Sequence, residues 1–218
     1  MTIQEAEARI DASVIRDYKL DCLVKTGPRK SRDILADTAG FYRELAEEDP
    51  RAPGDPAGER LRLVLYPTLA YYRALRKNGL SAEESAALVE EQLQRHAREQ
   101  ADRLRLLQRL PFFRTLFRLH VRRRIARLSP PEGWEIRWGT VSGRKTAFTV
   151  CRCLYKERLE ALGAPELLPL LCRMETSAAA GLEPKLYGKR AAALAQGDVC
   201  GFRFEQWPDT DEQRQEPS

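Results

Sequence analysis

The 218-residue sequence lacks any long apolar run, and this absence limits where the protein acts. No uninterrupted apolar stretch approaches the ~18 residues that a membrane-spanning helix requires. The opening residues, MTIQEAEARID, are polar and acidic and do not contain the apolar segment of a secretory signal. We therefore expect a cytoplasmic protein with no membrane partner.

Histidines and closely paired cysteines are also scarce. The chain has two histidines, His96 and His120, and five cysteines, none of them in a C-x-x-C pair. An odd number of cysteines without a secretory signal predicts free thiols in a reducing compartment. Zinc accepts three thiolates and one histidine, but neither the spacing nor the position of the histidines favours such a site. We therefore expect no metal and no cofactor.

The charge is nearly balanced, with a formal net value of +5, and most of the excess lies in residues 103–127. This segment, RLRLLQRLPFFRTLFRLHVRRRIAR, alternates arginines with leucines and phenylalanines. A nucleic-acid groove or a membrane-surface helix has this composition. An ordinary amphipathic helix has it too, with its apolar side chains packed inward and the arginine stems at the edge. The last interpretation predicts that there is no nucleic-acid partner.

Composition divides the chain into three parts. Residues 1–58 form a predicted helical arm that ends in the proline- and glycine-rich linker DPRAPGDPAGE. Residues 59–207 form the main predicted domain, and the polar tail 208–218 is predicted to be disordered. The arm packs either on the main domain or on a neighbouring subunit, so a homo-oligomer is one possible assembly.

The pattern changes from helical to alternating after Pro130-Pro131. WEIRW, which begins at Trp134, alternates as a half-buried strand does, and AFTVCRC is its predicted hairpin partner. Two helices follow, and two strands flank the turn at residues 196–198. The order strand, strand, helices, strand, strand beneath an N-terminal helical layer predicts an α+β fold with a small antiparallel sheet.

One stripe of the second of these helices carries possible chemistry. Leu168, Leu171, Cys172 and Glu175 are spaced i, i+3, i+4 and i+7. If the leucines face the sheet, the thiol and the carboxylate face it too. Burial would raise the carboxyl pKa toward the range useful for proton transfer. The alternative is a boundary glutamate in a structural ion pair.

The strand cysteines allow several interpretations. Cys200 shares strand parity with two phenylalanines, which is typical of a small buried side chain or of a thiol at a pocket wall. Cys151 and Cys153 share the opposite parity to Phe148. Either both face away from the core, or the strand ends near Arg152 and Cys153 turns back. Cys153 and Cys200, together with Cys172, could react, bind a ligand or simply pack in the core.

The run from Trp134 to Phe204 resembles the L-2-amino-thiazoline-4-carboxylic acid hydrolase family. The match rests on FTVCRC with Cys153, PELLPLLC with Cys172, Glu175 where the family has aspartate, Arg190, and LAQGDVCGFRF with Cys200. The helices from PTLAYYRALRKNGLSAEESAALV onward are similar to the N-terminal region of that family.

The resemblance implies a hydrolase that opens a small cyclic isothiourea, such as 2-aminothiazoline-4-carboxylate, in amino-acid or secondary metabolism. The bond attacked would be a carbon–nitrogen bond of the cyclic amidine, and the product would be a carbamoyl-cysteine. Cys153, Cys172, Glu175 and Cys200 would be catalytic, and Arg190 would bind the substrate carboxylate. The alternative is a non-catalytic, thiol-lined protein that binds a metal or cofactor on the same fold.

Overall fold

The structure is a computed structural model that describes residues 1–52, 54–141, 145–183, 186–192 and 199–205. The side chains of Arg114, Arg118 and residues 187–192 lie outside this description. The predicted turns at residues 142–144 and 196–198 and the predicted disordered tail also lie outside it. The helices are α1 (Ile3–Asp11), α2 (Tyr18–Thr26), α3 (Pro28–Glu47), α4 (Pro56–Arg60), α5 (Tyr66–Lys77), α6 (Ala82–Leu107), α7 (Phe113–Leu128), α8 (Leu154–Ala161) and α9 (Leu168–Ala179).

Four antiparallel strands complete the fold in the order β1-β2-β4-β3. They are β1 (Trp134–Val141), β2 (Lys145–Cys153), β3 (Tyr187–Ala192) and β4 (Cys200–Glu205). Because α8 and α9 lie between the two hairpins in the chain, the predicted α+β order is confirmed. The two strands predicted on either side of residues 196–198 are β3 and β4, of which β3 begins at Tyr187.

Local signals set the helix ends. Gly79, in the left-handed region at φ +82°, follows α5, and Ser81 with Glu84 forms the capping box that starts α6. Pro169 is compatible with α9 because it stands in the first turn, where a missing N–H costs no intrahelical hydrogen bond. A turn of π-helix at Leu61–Leu65 joins α4 to α5.

The N-terminal helices share one core with the rest of the chain. α3 packs along α5, and Ile10, Tyr18, Ile34 and Tyr42 are fully buried there. The linker after α3 is partly ordered, because Asp49 is buried and pairs with Arg62 at 3.4 Å. No helix in the described ranges has the length and apolar character needed to cross a bilayer.

Residues 103–127 form helices as predicted, but the inward packing of their apolar side chains was predicted wrongly. Phe113 and Val121 face the core, whereas Leu110, Phe112 and Leu119 are exposed. α7 therefore has apolar side chains on two faces, and the sheet side can bury only one of them.

Candidate active site

A β-bulge places Cys153 on the core face of the sheet. In the β1–β2 pairing, Glu135 opposes Arg152 and Ile136 opposes Val150, so Cys151 is the extra residue of β2. Without the bulge, Cys153 would share the opposite face, because side chains alternate along a strand. With it, Cys153 pairs with Trp134, which is buried. The second of the two sequence interpretations is therefore correct, although a bulge rather than a strand end produces it.

Cys153 is also the residue that caps the start of α8. No hydrogen bond of ordinary geometry reaches its sulfur from the first turn of α8. The backbone N–H groups of Tyr155 and Lys156 and the side chain of Trp134 are nevertheless near enough to lower the thiol pKa. Burial, with a smaller contribution from the charge of Glu175, outweighs them and raises the pKa of Cys153 to about 11. At neutral pH only about 1 in 10⁴ of such a thiol is ionised, so attack by this sulfur requires a base.

Tyr155 lies directly beside this thiol and is 3% exposed. Its ring meets Trp134 edge-on, with centroids 5.1 Å apart. Burial raises its pKa strongly, and the charges of Glu175 and Cys153 raise it further. The buried hydroxyl has no hydrogen-bond partner within the described residues. A buried hydroxyl without a partner is costly, so this position is suited to a polar ligand.

Two buried side-chain nitrogens on the helices also lack a hydrogen-bond partner among the described residues. Arg60, the last residue of α4, has a buried Nε without a hydrogen-bond partner among the described residues, and so does Nδ1 of His96 on α6. Arg60 lies close enough to Tyr155 for its charge to lower that residue's pKa, although no hydrogen bond of ordinary geometry joins them. Burial lowers the pKa of His96, and the Arg60 charge contributes in the same direction. Arg60 therefore brings a positive charge to the Tyr155 hydroxyl.

Glu175 and Cys172 lie at the margin of the buried face of α9. The face centred on Leu170, Leu171 and Met174 is buried, and α9 packs mainly against α6 rather than lying flat on the sheet. Cys172 and Glu175 are half-buried. Glu175 is near enough to Cys153 and Tyr155 for its charge to raise the pKa of both.

Cys200 lies on the same sheet face as Cys153. It is 4% exposed and pairs with Val150, two strand positions from Cys153 once the bulge is taken into account. Such diagonal neighbours have Cα atoms roughly 7–8 Å apart. Farther along the same face, Phe202 and Phe204 pack on Phe148, with centroids 4.9 Å and 6.3 Å from it. The shared parity predicted for Cys200 and the two phenylalanines is confirmed.

The remaining predicted ligand is Arg190, whose backbone pairs with Phe202 in the sheet. Its side chain lies outside the described part of the chain, so its role in carboxylate binding stays a prediction.

The alternative of a metal-binding protein finds no support in the arrangement of donors. All five cysteines are thiols. Across the described ranges, no three His, Cys, Asp or Glu side chains converge closely enough to hold a metal ion.

A shallow depression of about 360 Å³ lies elsewhere, at the start of α3. Its walls are formed by Thr26, Gly27, Pro28, Arg29, Lys30 and Asp33. It is open to solvent and its lining carries no thiol. We therefore place the candidate site at Cys153.

Sequence patterns did not reveal Trp134, Tyr155 and Arg60 as site residues. The pairing of Trp134 with Cys153 follows from the hairpin only when the bulge is known. Arg60 and Tyr155 are far apart in the sequence and meet only through tertiary packing. The one local signal is the position of Tyr155, two residues after Cys153 in the first turn of α8.

The comparisons with known proteins give one match. The family model described as L-2-amino-thiazoline-4-carboxylic acid hydrolase matches residues 61–204, about two thirds of the chain. This range contains Cys153, Cys172 and Cys200 and ends at Phe204, one residue before the end of β4. No curated protein and no solved structure matches the chain.

Proposed function

This chain belongs to the L-2-amino-thiazoline-4-carboxylic acid hydrolase family, and we propose that it opens the ring of a small cyclic isothiourea such as 2-aminothiazoline-4-carboxylate. The observation that carries the proposal is the environment of Cys153, which stands at the start of α8 opposite Trp134 in the sheet, with the carboxylate of Glu175 nearby. These groups match the needs of nucleophilic attack on an amidine carbon.

Cys153 is the proposed nucleophile and Glu175 its proton acceptor. Glu175 takes the thiol proton as the sulfur of Cys153 adds to the amidine carbon. Because Cys153 stands at the N-terminus of α8, the N–H groups of the first turn favour the negative charge that develops on the sulfur before the bond forms. A substrate amidinium held beside Glu175 would offset the carboxylate charge that otherwise keeps the thiol protonated.

The addition leaves a tetrahedral carbon that must lose one bond. We place the break at the ring carbon–sulfur bond, because a thiolate leaves more readily than an amine, which must first be protonated. The ring sulfur then takes a proton and becomes a free thiol, while the carbon stays attached to Cys153. The family resemblance instead implied cleavage of a carbon–nitrogen bond at this same carbon.

Water completes the reaction by adding to the carbon held on Cys153. The carbon–sulfur bond to the enzyme breaks, Cys153 regains a proton, and the carbon leaves as the carbonyl of a urea. The product is N-carbamoylcysteine, which contains the substrate atoms plus one water. In this step Glu175 accepts a proton from the attacking water.

Arg60 and the Tyr155 hydroxyl are the proposed binding groups for the substrate carboxylate. Both have a buried polar atom without a hydrogen-bond partner among the described residues. A guanidinium and a hydroxyl together suit a carboxylate, which accepts several hydrogen bonds. Arg190 is proposed as a second cation for the same group.

The test is an assay of thiol release from 2-aminothiazoline-4-carboxylate by purified protein. Release of a thiol reports carbon–sulfur cleavage, whereas carbon–nitrogen cleavage gives no new thiol. Cys153→Ser should lower turnover by about a hundredfold or more, since a hydroxyl is a much poorer nucleophile. Cys151→Ser, two residues away at the bulge, is the matched control and should retain activity. Equal turnover by both variants would reject Cys153 as the nucleophile.

A further inference from the structure

The turn between α6 and α7 presents a group of apolar side chains to solvent. We call the surface formed by residues 106–127 the α6–α7 corner. Phe112 is 82% exposed and Leu119 is 61% exposed. The other exposed apolar side chains of this surface are Leu106, Leu107, Leu110 and Leu116. Scattered exposed leucines are ordinary, but a contiguous apolar surface marks an interaction site.

Phe112 at this corner has an unusual backbone conformation. Its φ of +60° makes it the one residue other than glycine with positive φ among the described residues. This conformation is unfavourable for a side chain with a Cβ, and glycine adopts it readily. Because Phe112 is exposed, burial in the core does not offset this cost.

The same segment carries a strong positive charge. Residues 103–131 contain nine arginines and no aspartate or glutamate, although the whole chain has a net charge of only +5. On α7, Leu116, Leu119 and Arg123 are spaced i, i+3 and i+7 and share one solvent-facing side. Arg127 is also exposed. The corner therefore joins apolar side chains to cations on one surface.

We propose that the α6–α7 corner docks the protein onto an anionic lipid surface. The exposed leucines and Phe112 enter the interface between headgroups and acyl chains, and the arginines remain at the level of the lipid phosphates. This proposal departs from the absence of a membrane partner expected from the sequence, because that expectation rested on the lack of a membrane-spanning run, whereas the apolar side chains of this corner are exposed at the surface.

Other occupants fit the surface less well. A symmetric dimer through this corner would bring two arginine-rich segments together, and like charges that face each other oppose association. A nucleic acid would pair with the arginines but would leave the exposed leucines without an apolar partner. An anionic bilayer satisfies both the charge and the apolar side chains.

The experiment is flotation of the full chain with vesicles. Vesicles of phosphatidylcholine with phosphatidylserine are compared with vesicles of phosphatidylcholine alone. Phe112→Gly removes the aromatic ring and should preserve the fold, because glycine accepts positive φ. Arg123→Glu with Arg127→Glu reverses the charge. Leu20→Ser is the matched control, because Leu20 is 64% exposed on α2, outside the arginine-rich segment.

The wild type and the Leu20→Ser control should float with the serine-containing vesicles, and salt should weaken this binding. Phe112→Gly and the double arginine variant should each lower the apparent affinity about tenfold or more, with unchanged circular dichroism spectra. Equal binding to both kinds of vesicle, wild-type binding by Phe112→Gly, or no binding by the wild type would each overturn the proposal. Retention on RNA, or self-association that Phe112→Gly abolishes, without vesicle binding would also overturn it and identify the other occupant.

Discussion

Two opposing effects act on the pKa of the Cys153 thiol: nearby N–H groups lower it and burial raises it. The nearby N–H groups of the first turn of α8 and the Trp134 side chain favour the thiolate, while desolvation and the charge of Glu175 favour the thiol, although no hydrogen bond of ordinary geometry reaches the sulfur from that turn. Burial is the larger effect, and the pKa rises to about 11 from the ordinary value of 9.0. The thiol is therefore largely protonated at neutral pH, and the substrate cation is the proposed trigger for ionisation.

The reactivity of Cys153 toward iodoacetamide should increase with pH up to about 11, because the thiolate is the reacting species. Since folding raises this pKa above 9.0, the contribution to stability is fully present below pH 9.0 and is lost as pH rises through about 11. Peptide mapping after brief labelling measures the profile for each cysteine. A Cys153 rate that reaches its plateau near pH 7 would contradict the assigned environment.

Glu175→Gln should distinguish the effect of the carboxylate charge on the Cys153 pKa from its proposed role as proton acceptor. Removing its charge should shift the Cys153 labelling profile to lower pH, while the loss of the proton acceptor should lower turnover by about a hundredfold. Glu157→Gln is the matched control, because Glu157 lies on α8 but pairs with Arg152 at the surface. If Glu175→Gln retained wild-type turnover, the glutamate would be a structural residue only.

Elements of the fold follow from the sequence where the signal is local. The alternation of Trp134 to Trp138, the Ser81–Glu84 capping box and the left-handed Gly79 each depend on a few neighbouring residues, and the structure has all of them. The bulge at Cys151 does not, because an inserted residue changes strand parity without changing the apolar pattern before it. For this reason the sequence could not decide on which face of the sheet Cys153 lies.

The site was predictable only in part for a similar reason. Family resemblance pointed to the cysteines and Glu175, but Arg60 and Tyr155 come together through packing of α4 near α8, which no periodicity encodes. The exposed side of α7 was missed because both of its faces carry apolar residues. Periodicity cannot tell which of two apolar faces is buried.

The contact between α6 and the turn after α9 sets a strict limit on residue size. A Cβ at Gly181 would lie 2.3 Å from the backbone oxygen of Ala101 and 2.4 Å from its Cα. Gly181→Ala should therefore destabilise the protein by about 2–3 kcal/mol, since backbone atoms cannot yield as a flexible side chain can. Urea unfolding measures the change.

Gly40→Ala on α3 is the control for this substitution. A Cβ there meets no heavy atom within 4 Å, so the variant should be about 0.5–1 kcal/mol more stable through helix propensity. Equal stability of the two variants would show that α6 and the turn after α9 are farther apart than the structure has them.

Hydrogen bonds and ion pairs connect helices and loops that are far apart in the chain. Arg95 on α6 pairs with Asp21 on α2 at 2.6 Å. Tyr72 on α5 donates a hydrogen bond to Glu166 at 3.0 Å, and Arg73 donates one to the Leu162 carbonyl at 2.9 Å. The Arg95–Asp21 pair joins residues 1–58 to the rest of the chain, and the other two bonds join α5 to the segment between α8 and α9. The proposed boundary at residue 58 is thus crossed by shared packing.

Unfolding should therefore occur as one transition. Trp134 and Trp138 report on the sheet through fluorescence, and far-ultraviolet circular dichroism reports mainly on the helices. With one continuous core, the two signals should share a midpoint in urea. Separate midpoints would show that the arm of residues 1–58 unfolds independently.

Acid quenching during turnover tests whether Cys153 becomes covalently bonded to the substrate carbon. The enzyme is mixed with 2-aminothiazoline-4-carboxylate, quenched, digested and mapped by mass spectrometry. We predict an adduct on the peptide that contains Cys153, absent from the Cys153→Ser variant and unaffected by Cys151→Ser. Turnover with an adduct on Cys172 or Cys200 instead, or undiminished turnover by Cys153→Ser, would show that Cys153 is not the nucleophile.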